Sequence, residues 1–276
     1  MSAAAAQVLP ELPLALACRP GADGRPKCFK CGEPCPEADT RRIRTMGDQI
    51  RTLHAACWES EKQRMAAEDE ERRRRSIEQR VKYVEDRFES TMERCTLPLW
   101  PFARFDNAEF RRRSSKKIVS AVERWDPLAV RTLMLTAPTG RGKTAVISAW
   151  LWRHRDQQVE KARAGDEKAM TWSFVFATGP ELATARRNTQ LGHEAPLIER
   201  SLETSILFID ELGFEKQSEV PFEIIDHRYR EQAITVVTTG LKPKEFRARY
   251  GDALFRRLAE SGAVIEDWPR VEEGPA

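Results

Sequence analysis

Two short segments constrain this chain more than any other feature of its sequence. Residues 137–144 read Ala-Pro-Thr-Gly-Arg-Gly-Lys-Thr, and the apolar run 206–209 is followed by Asp210 and Glu211. A glycine-rich turn lets backbone N–H groups close around phosphates, while its lysine reaches the same phosphates. A buried strand that ends in two carboxylates supplies the metal-binding and catalytic half of such a site. Together the segments predict a nucleoside triphosphatase.

This pattern assigns a role to each residue of the two segments. We expect the phosphates to contact the loop residues Pro138, Thr139, Gly140, Arg141, Gly142, Lys143 and Thr144. The hydroxyl of Thr144 is expected to hold Mg²⁺, and Asp210 is expected to hold the same ion through water. Glu211 is expected to orient the attacking water. Lys143, Asp210 and Glu211 are therefore the predicted catalytic residues of this site.

The loop departs from the usual pattern at one position, where Ala137 replaces a glycine. Alanine is tolerable there if its backbone has a negative φ. The flanking sequence supports the assignment, because Thr132–Thr136 is typical of a strand and residues 145–154 can form a helix without Gly or Pro. The sequence therefore predicts a strand, a phosphate loop and a helix in succession.

Composition limits the class of protein without identifying it. The 276 residues are 41% hydrophobic, enough for one core with additions, and a net charge of +3 permits nucleic acid as a partner without requiring it. No apolar stretch approaches the ~18 residues that span a membrane. Residues 12–18 faintly resemble a secretory leader, but no Lys or Arg precedes them, Pro10 and Glu11 stand directly before them, and Pro13 lies within them. We therefore expect a cytoplasmic protein without a membrane partner, whose residues 1–17 form a disordered tail.

The segment 18–60 holds five of the six cysteines. Within it, the spacing C-x₂-C-x₂₂-H-x₂-C supplies two chelating pairs, as expected of a closed structural zinc site. The predicted zinc ligands are Cys28, Cys31, His54 and Cys57.

Other readings of these cysteines stay open. Cys18 and Cys35 are spare thiols, and either is able to replace His54 as a ligand. Unliganded cysteines and a disulfide are the alternatives to zinc, although a reducing cytoplasm disfavours the disulfide. We interpret 18–60 as a zinc-binding module in which the metal stabilises the fold and does no catalysis.

Residues 61–93 are rich in Glu and Arg and contain no Gly or Pro, which predicts an exposed helix. The acidic residues 68–71 stand four positions before the arginines 72–75, so i,i+4 pairing neutralises most of the charge. This favours a self-paired linker, assigned to 61–97, over a nucleic-acid contact. A globular domain follows over 98–276.

A succession of further motifs resembles one family. It consists of D-E-L-G at 210–213, I-I-D-H-R-Y-R at 224–230, I-T-V-V-T-T-G-L at 234–241 and L-F-R-R-L at 254–258. Its order and spacing are similar to those of the AAA+ helicase loaders of the DnaC/DnaI type and of the related IstB-type transposition ATPases. The resemblance covers roughly residues 98–270.

The resemblance implies a fold and several site residues. An α/β P-loop core, with a parallel sheet between helices, would bind ATP and Mg²⁺ and assemble as a homo-oligomer. By match to the family, Arg257 is the arginine finger that completes a neighbour's site, with Arg256 second, and Arg228 is a candidate for a subunit boundary. The family's sensor asparagine is Gly240 here, so we assign the sensor role to Thr239, with Thr238 as the substitute.

The function implied is an ATP-dependent loader that places a replicative DNA helicase on single-stranded DNA, with the zinc module gripping the helicase. An IstB-type ATPase that recruits a transposase, and a poorly hydrolysing nucleotide-dependent adaptor, are the alternatives. Two basic clusters are weak candidates for DNA contact: Arg111, Arg112, Arg113, Lys116 and Lys117, and then Arg186 and Arg187.

Overall fold

The computed structural model describes residues 27–35, 40–44, 50–95, 100–186, 194–216, 219–260 and 262–269. The expectations for the tail 1–17, for Cys18 and for Arg187 lie outside those residues. The chain divides into two compact units, Met1–Ser76 and Ile77–Ala276.

The first unit is built around one small hairpin. Strand β1 (Thr40–Arg44) pairs antiparallel with strand β2 (Ile50–His54), and helix α1 (Ala55–Glu93) follows β2 without a break. Its buried hydrophobic side chains are only three in the part of the chain that the structure describes, namely Cys28, Cys35 and Leu53. This unit therefore has little apolar core to support it.

Helix α1 departs from the expected linker 61–97. It begins six residues earlier, at Ala55, and the boundary between the units falls inside it. In its second half Val84 and Phe88 are buried in the second unit, because apolar residues recur there at helical spacing and form one face. Only the first half is the exposed, self-paired helix that the sequence predicts, with Arg75 and Glu71 2.9 Å apart at i,i+4.

The second unit alternates helices and strands. Its elements are α2 (Ala108–Arg113), α3 (Lys116–Arg124), β3 (Thr132–Thr136), α4 (Lys143–Arg163), β4 (Phe174–Thr178), α5 (Gly179–Ala185), α6 (Pro196–Glu203), β5 (Ile206–Leu212), α7 (Glu219–Arg230), β6 (Ile234–Thr239), α8 (Pro243–Glu260, kinked at Gly251) and β7 (Gly262–Glu266). The predicted succession of strand, phosphate loop and helix is β3, 137–142 and α4. Among the described residues, none of the helices combines the length and the apolar character that a bilayer crossing requires.

Five of these strands form one parallel sheet in the order β4-β5-β6-β3-β7. Strand β6 lies between β3, which leads into the phosphate loop, and β5, which carries Asp210. Helices cover both faces of the sheet, so the predicted α/β fold is confirmed.

Alternation along the strands decides which side chains reach the site. Ile206, Phe208 and Val236 pack into the cluster that includes α3 and α4, whereas Leu207 and Val237 pack into the cluster that includes α7 and α8. Because successive side chains of a strand point to opposite faces, even-numbered residues of β5 and β6 face α4. The phosphate loop opens at the start of that helix.

Candidate nucleotide-binding site

The phosphate loop has the backbone that its glycines permit. Gly140 and Gly142 have φ of 83° and 78°, in the left-handed region that favours glycine. Ala137 does not have a positive φ, which is the condition under which alanine is tolerable. Its N–H donates to the carbonyl of Thr239, 3.3 Å away, so the loop begins hydrogen-bonded to the neighbouring strand.

Lys143, the first residue of α4, turns back over the loop. Its Nζ donates to the carbonyl oxygens of Ala137 at 2.7 Å and Pro138 at 3.0 Å. Burial lowers the pKa of Lys143, and the nearby charges of Asp210 and Glu211 act in the opposite direction. The ammonium group thus lies inside the loop on carbonyls that phosphate oxygens can replace, at a helix N-terminus that attracts anions.

Asp210 is held at both carboxylate oxygens. Thr144 donates to Oδ2 over 2.7 Å, and the hydroxyl of Thr238 donates to Oδ1. The residue is 5% exposed. A hydroxyl and a carboxylate in contact are hard oxygen donors of the type that Mg²⁺ prefers, so Thr144 and Asp210 fit the ion that the sequence predicts.

The prediction that Thr239 acts as the sensor is not supported by this geometry. Its hydroxyl donates to the carbonyl of Leu212 at 2.5 Å, on the opposite face of β6. Thr238 instead contacts Asp210, because Ile209 pairs with Val237 and the next residue of each strand then shares a face. The register of β5 against β6 therefore selects Thr238 as the residue that contacts Asp210.

Glu211 adopts an unusual backbone conformation. Its φ is 54°, and the pairing of β5 with β6 is irregular between Ile209 and Leu212. A left-handed conformation costs an ordinary L-residue about 1–2 kcal/mol and recurs at functional sites. Its N–H donates to the hydroxyl of Thr238 at 3.2 Å, and its exposed side chain lines the phosphate cleft. The bulge therefore re-aims the carboxylate at the strand tip.

The cleft itself encloses about 330 Å³. It is lined by Trp100, Phe102, Arg113, Ser114, Thr139, Gly140, Gly142, Lys143, Thr144, Ala145, Asp210, Glu211, Phe214 and Gly240. Of the predicted phosphate-binding residues, Pro138 and Arg141 are not among the lining residues; the Nε of Arg141 lies 4.0 Å from Oδ2 of Asp267.

At the mouth of this cleft an aromatic ring lies beside the residue that replaces the family's sensor asparagine. A Cβ placed on Gly240 would lie 3.4 Å from the ring of Phe214, which is 61% exposed. The ring thus occupies the space into which a longer side chain at position 240 would project.

The predicted finger arginines lie away from the cleft. Arg257 places its Nε 2.7 Å from Oδ1 of Asp226 and its guanidinium over the ring of Phe222. Arg256 is more exposed and lies 3.5 Å from Glu260 on the same helix. Neither lines the cleft of its own chain.

Arg228 is not at a surface, which corrects the suggestion that it marks a subunit boundary. It is fully buried. Its guanidinium donates to Thr235 Oγ1 and to backbone carbonyls of α6, of the turn after it and of Ile234, at 2.6–3.5 Å. Burial lowers the pKa of Arg228 to about 10, so it remains charged at neutral pH. Its hydrogen bonds connect α7 to α6 and to strand β6 of the sheet.

Three of the six described residues in the two basic clusters are paired with acids. Arg111 contacts Glu123, Arg113 contacts Glu109, and Arg186 contacts both Glu194 and Glu223. These ion pairs offset the positive charge of those three arginines, which is therefore less available to a DNA phosphate.

The four predicted zinc ligands come together. The ligand atoms of Cys28, Cys31, His54 and Cys57 all lie within 4.8 Å of one another. A tetrahedral zinc site with Zn–S distances of about 2.3 Å places its ligands about 3.8 Å apart. Three thiol sulfurs and one imidazole therefore fit Zn²⁺, and the buried Cys35 is not part of the group.

Backbone groups orient the cysteine and histidine ligands of this cluster. Gly32, with φ of 78°, turns the chain after Cys31, and its N–H donates to the carbonyl of Cys28 at 2.9 Å. The Nε2 of His54 lies 3.0 Å from the carbonyl of Pro34, and its Nδ1 lies 3.4 Å from the sulfur of Cys31. A proton on Nε2 leaves Nδ1 as the ligand, which is the arrangement that second-shell hydrogen bonds produce at metal sites.

The surroundings of two of the thiols change their pKa values in opposite directions. Burial raises the pKa of Cys28, but backbone hydrogen bonds from Cys31, His54 and Lys30 outweigh it and bring the pKa to about 6. Burial and the neighbouring thiols raise the pKa of Cys57 to about 11. Such crowding of sulfurs is what a bound dication offsets.

Three solved structures can be set beside this chain. The DnaC helicase loader is 20% identical, with a TM-score of 0.41, over 59% of this chain and 95% of that one. A putative primosome component from Streptococcus pyogenes serotype M3 is 17% identical, with a TM-score of 0.44, over 66% and 97%. DnaI is 18% identical, with a TM-score of 0.39, over 54% and 77%.

No protein-family model matches this sequence, and no curated protein is significantly similar to it. Because the TM-scores are below 0.5, the assignment of the fold rests on the strand order, the phosphate loop and the carboxylate strand. On those grounds the chain has an α/β P-loop fold with a five-stranded parallel sheet.

Proposed function

We propose that this chain is a AAA+ ATPase that loads a replicative DNA helicase onto single-stranded DNA. The observation that carries the ATPase part is the bonded series Thr144–Asp210–Thr238 beside a lysine that lies inside its own phosphate loop. The loader part rests on the motif succession from 210 to 258 and on the separate cysteine module.

Each residue of the cleft has a separate role in ATP hydrolysis in this proposal. Lys143 and the loop N–H groups bind and orient the phosphates, while Glu211 accepts a hydrogen bond from the attacking water at the strand tip. Thr238 holds Asp210 in one orientation and so acts as a positioning residue. Bound at Thr144 and Asp210, Mg²⁺ would offset charge on the phosphates.

Completion of the site requires a second subunit in this proposal. The residues that line the cleft offer two cations, Lys143 and Arg113, and Arg113 is paired with Glu109 at 2.6 Å. An arginine that offsets charge on the transferring phosphoryl must come from elsewhere, and we assign that role to Arg257 of a neighbouring copy, with Arg256 second. The active species is accordingly a homo-oligomer.

We propose that the zinc module is the part of the chain that binds the helicase. We also propose that the protein acts in the cytoplasm. A closed site of three cysteines and one histidine has no open position for chemistry, so its metal supports a surface. The core motifs do not separate a helicase loader from an IstB-type transposition ATPase. A poorly hydrolysing adaptor is favoured by one observation, the ring of Phe214 beside Gly240.

An ATPase assay on the full chain with Mg²⁺ tests the catalytic core. Lys143→Ala should weaken ATP binding, whereas Glu211→Gln should bind ATP normally and hydrolyse it at least about 100-fold more slowly. Glu199→Gln, an exposed glutamate on α6, is the matched control and should keep the parent rate. Parent turnover in Glu211→Gln would contradict the assigned role.

Loading is tested with the replicative helicase and the transposase of the same cell, each offered to the full chain with ATP. The proposal expects co-purification with the helicase and ATP-dependent placement of that helicase on a single-stranded circle. Binding to the transposase alone would assign the chain to the transposition class, and binding to either partner without any ATP turnover would identify an adaptor.

A further inference from the structure

A second cavity lies at the edge of the sheet, remote in the fold from the phosphate loop. It encloses about 380 Å³ between the end of α1, the start of β4 and the end of α6. It is lined by Arg87, Ser90, Thr91, Arg94, Cys95, Ser173, Phe174, Val175, Arg200, Glu203 and Thr204. None of them lines the nucleotide cleft, which opens at the other, carboxyl end of the strands.

Three guanidinium groups converge on this cavity without a carboxylate partner. Among the described residues, no carboxylate oxygen lies within 4.0 Å of Arg87, Arg94 or Arg200, although Glu203 also lines the wall. Elsewhere in this unit arginines such as Arg155 and Arg186 are paired with acids. The lining therefore carries three positive charges against one negative charge.

Most of the donors of these arginines remain available. Arg87 donates from Nε to the carbonyl of Thr171, Arg94 donates to Ser90, and Arg200 donates from Nε to the carbonyl of Pro196. Each guanidinium has five N–H donors. The contacts of Arg94 and Arg200 stay within their own helical turns, so they orient the groups without neutralising them.

We propose that this cavity binds a phosphate group, held by Arg87, Arg94 and Arg200. Guanidinium forks match phosphate oxygens, and the surplus of two positive charges matches a phosphate dianion. The volume exceeds that of a single phosphate, which leaves room for the group esterified to it. Either a free phosphate ester or a backbone phosphate of a single DNA strand supplies this chemistry. The site is independent of ATP hydrolysis.

The test measures binding of inorganic phosphate to the full chain in a Lys143→Ala background, which weakens the phosphate loop equally in every sample. The double variant Arg94→Gln/Arg200→Gln should lose at least tenfold in phosphate affinity. Arg124→Gln is the matched control, since the Nε of this exposed arginine also donates to a carbonyl one turn earlier on its helix, and it should bind phosphate like the parent. Equal phosphate affinity in the double variant and the parent would overturn the proposal.

The melting temperature without phosphate separates ligand binding from folding. Arg94 and Arg200 are exposed and donate only to groups four residues earlier, so the melting temperature of the double variant should equal that of the parent.

A second arm identifies the source of the phosphate with a fluorescein-labelled oligothymidylate. If its affinity falls in the double variant together with that of inorganic phosphate, the ligand is a DNA backbone. If only the affinity for inorganic phosphate falls, the ligand is a free phosphate ester. Both results support the cavity as a phosphate site.

Discussion

The phosphate loop and the cysteine cluster differ in what holds their ligands in place before a ligand arrives. Residues 137–142 lie between β3 and α4 over a packed sheet, and Asp210 is bonded at both oxygens. The group Cys28, Cys31, His54 and Cys57 belongs to a unit whose described core has three buried hydrophobic residues. The first site is organised by its fold, whereas the second requires its metal to organise the fold around it.

The largest effect is expected from loss of the metal. Structural zinc is worth an apparent ~10–16 kcal/mol in small zinc modules, more than so small a core can supply. Cys31→Ser should therefore release the zinc and unfold the hairpin of β1 and β2, as followed by metal analysis and hydrogen exchange. Cys35→Ser is the control, because this buried thiol lies outside the ligand group, and it should keep about one zinc per chain. Zinc retained in Cys31→Ser would contradict the ligand assignment.

The next effect concerns the charge that the nucleotide site lacks. If Arg257 completes a neighbour's site, Arg257→Ala should bind ATP normally and hydrolyse it about 10³-fold more slowly. Mixing it with Lys143→Ala should restore part of the activity, because a mixed interface pairs an intact loop with an intact arginine. The same mixture with Arg256→Ala shows which arginine acts. Absence of rescue in a preparation shown to co-assemble would mean that Arg257 acts within its own chain.

A smaller effect, on stability alone, is expected at Arg228. Its replacement by Met leaves several buried carbonyls without a donor. We therefore expect the free energy of unfolding to fall by about 3 kcal/mol. Chemical denaturation of the second unit measures it. Arg230→Met, two residues along α7 at an exposed position, should change the free energy by less than about 0.5 kcal/mol. Comparable losses in both variants would show that burial of Arg228 is not what stabilises α7.

The smallest effect distinguishes two adjacent threonines. Thr238→Val removes one donor from Asp210, so we expect kcat to fall about tenfold and the Mg²⁺ dependence to shift upward, as for the loss of a hydrogen bond to a charged group. Thr239→Val removes only the bond to Leu212, and it should lower the melting temperature while kcat stays within twofold of the parent. A larger loss of kcat in Thr239→Val would restore the sensor role that the motif predicts.

The sequence predicts those parts of the phosphate loop and of the cysteine cluster whose geometry is set by neighbouring residues of the chain. The proximity of Lys143, Thr144 and Asp210 at one cleft was predictable because it depends on a short contiguous loop and on the residue that ends a buried strand. The cluster of three cysteines and one histidine was predictable because chelating pairs have a fixed spacing. In both cases local sequence carries the geometry.

The rest depends on contacts between distant segments. Thr238 rather than Thr239 faces Asp210 because of the register of two strands, which a motif comparison does not contain. Arg228 is buried because carbonyls at the end of α6 converge on it, and α1 continues into the core because Val84 and Phe88 meet other helices there. These features needed the assembled fold.

The central claim is that one site is organised by its fold and the other by its metal, and hydrogen exchange on the full chain tests it most directly. A zinc chelator should bring the amides of 28–57 to the exchange rates of an unfolded chain and leave the strands β3, β5 and β6 as protected as before. Mg²⁺ and ATP should then slow exchange at 137–144 and around Asp210 without restoring 28–57. Faster exchange in the core strands on chelation, or continued protection of 28–57, would contradict the account.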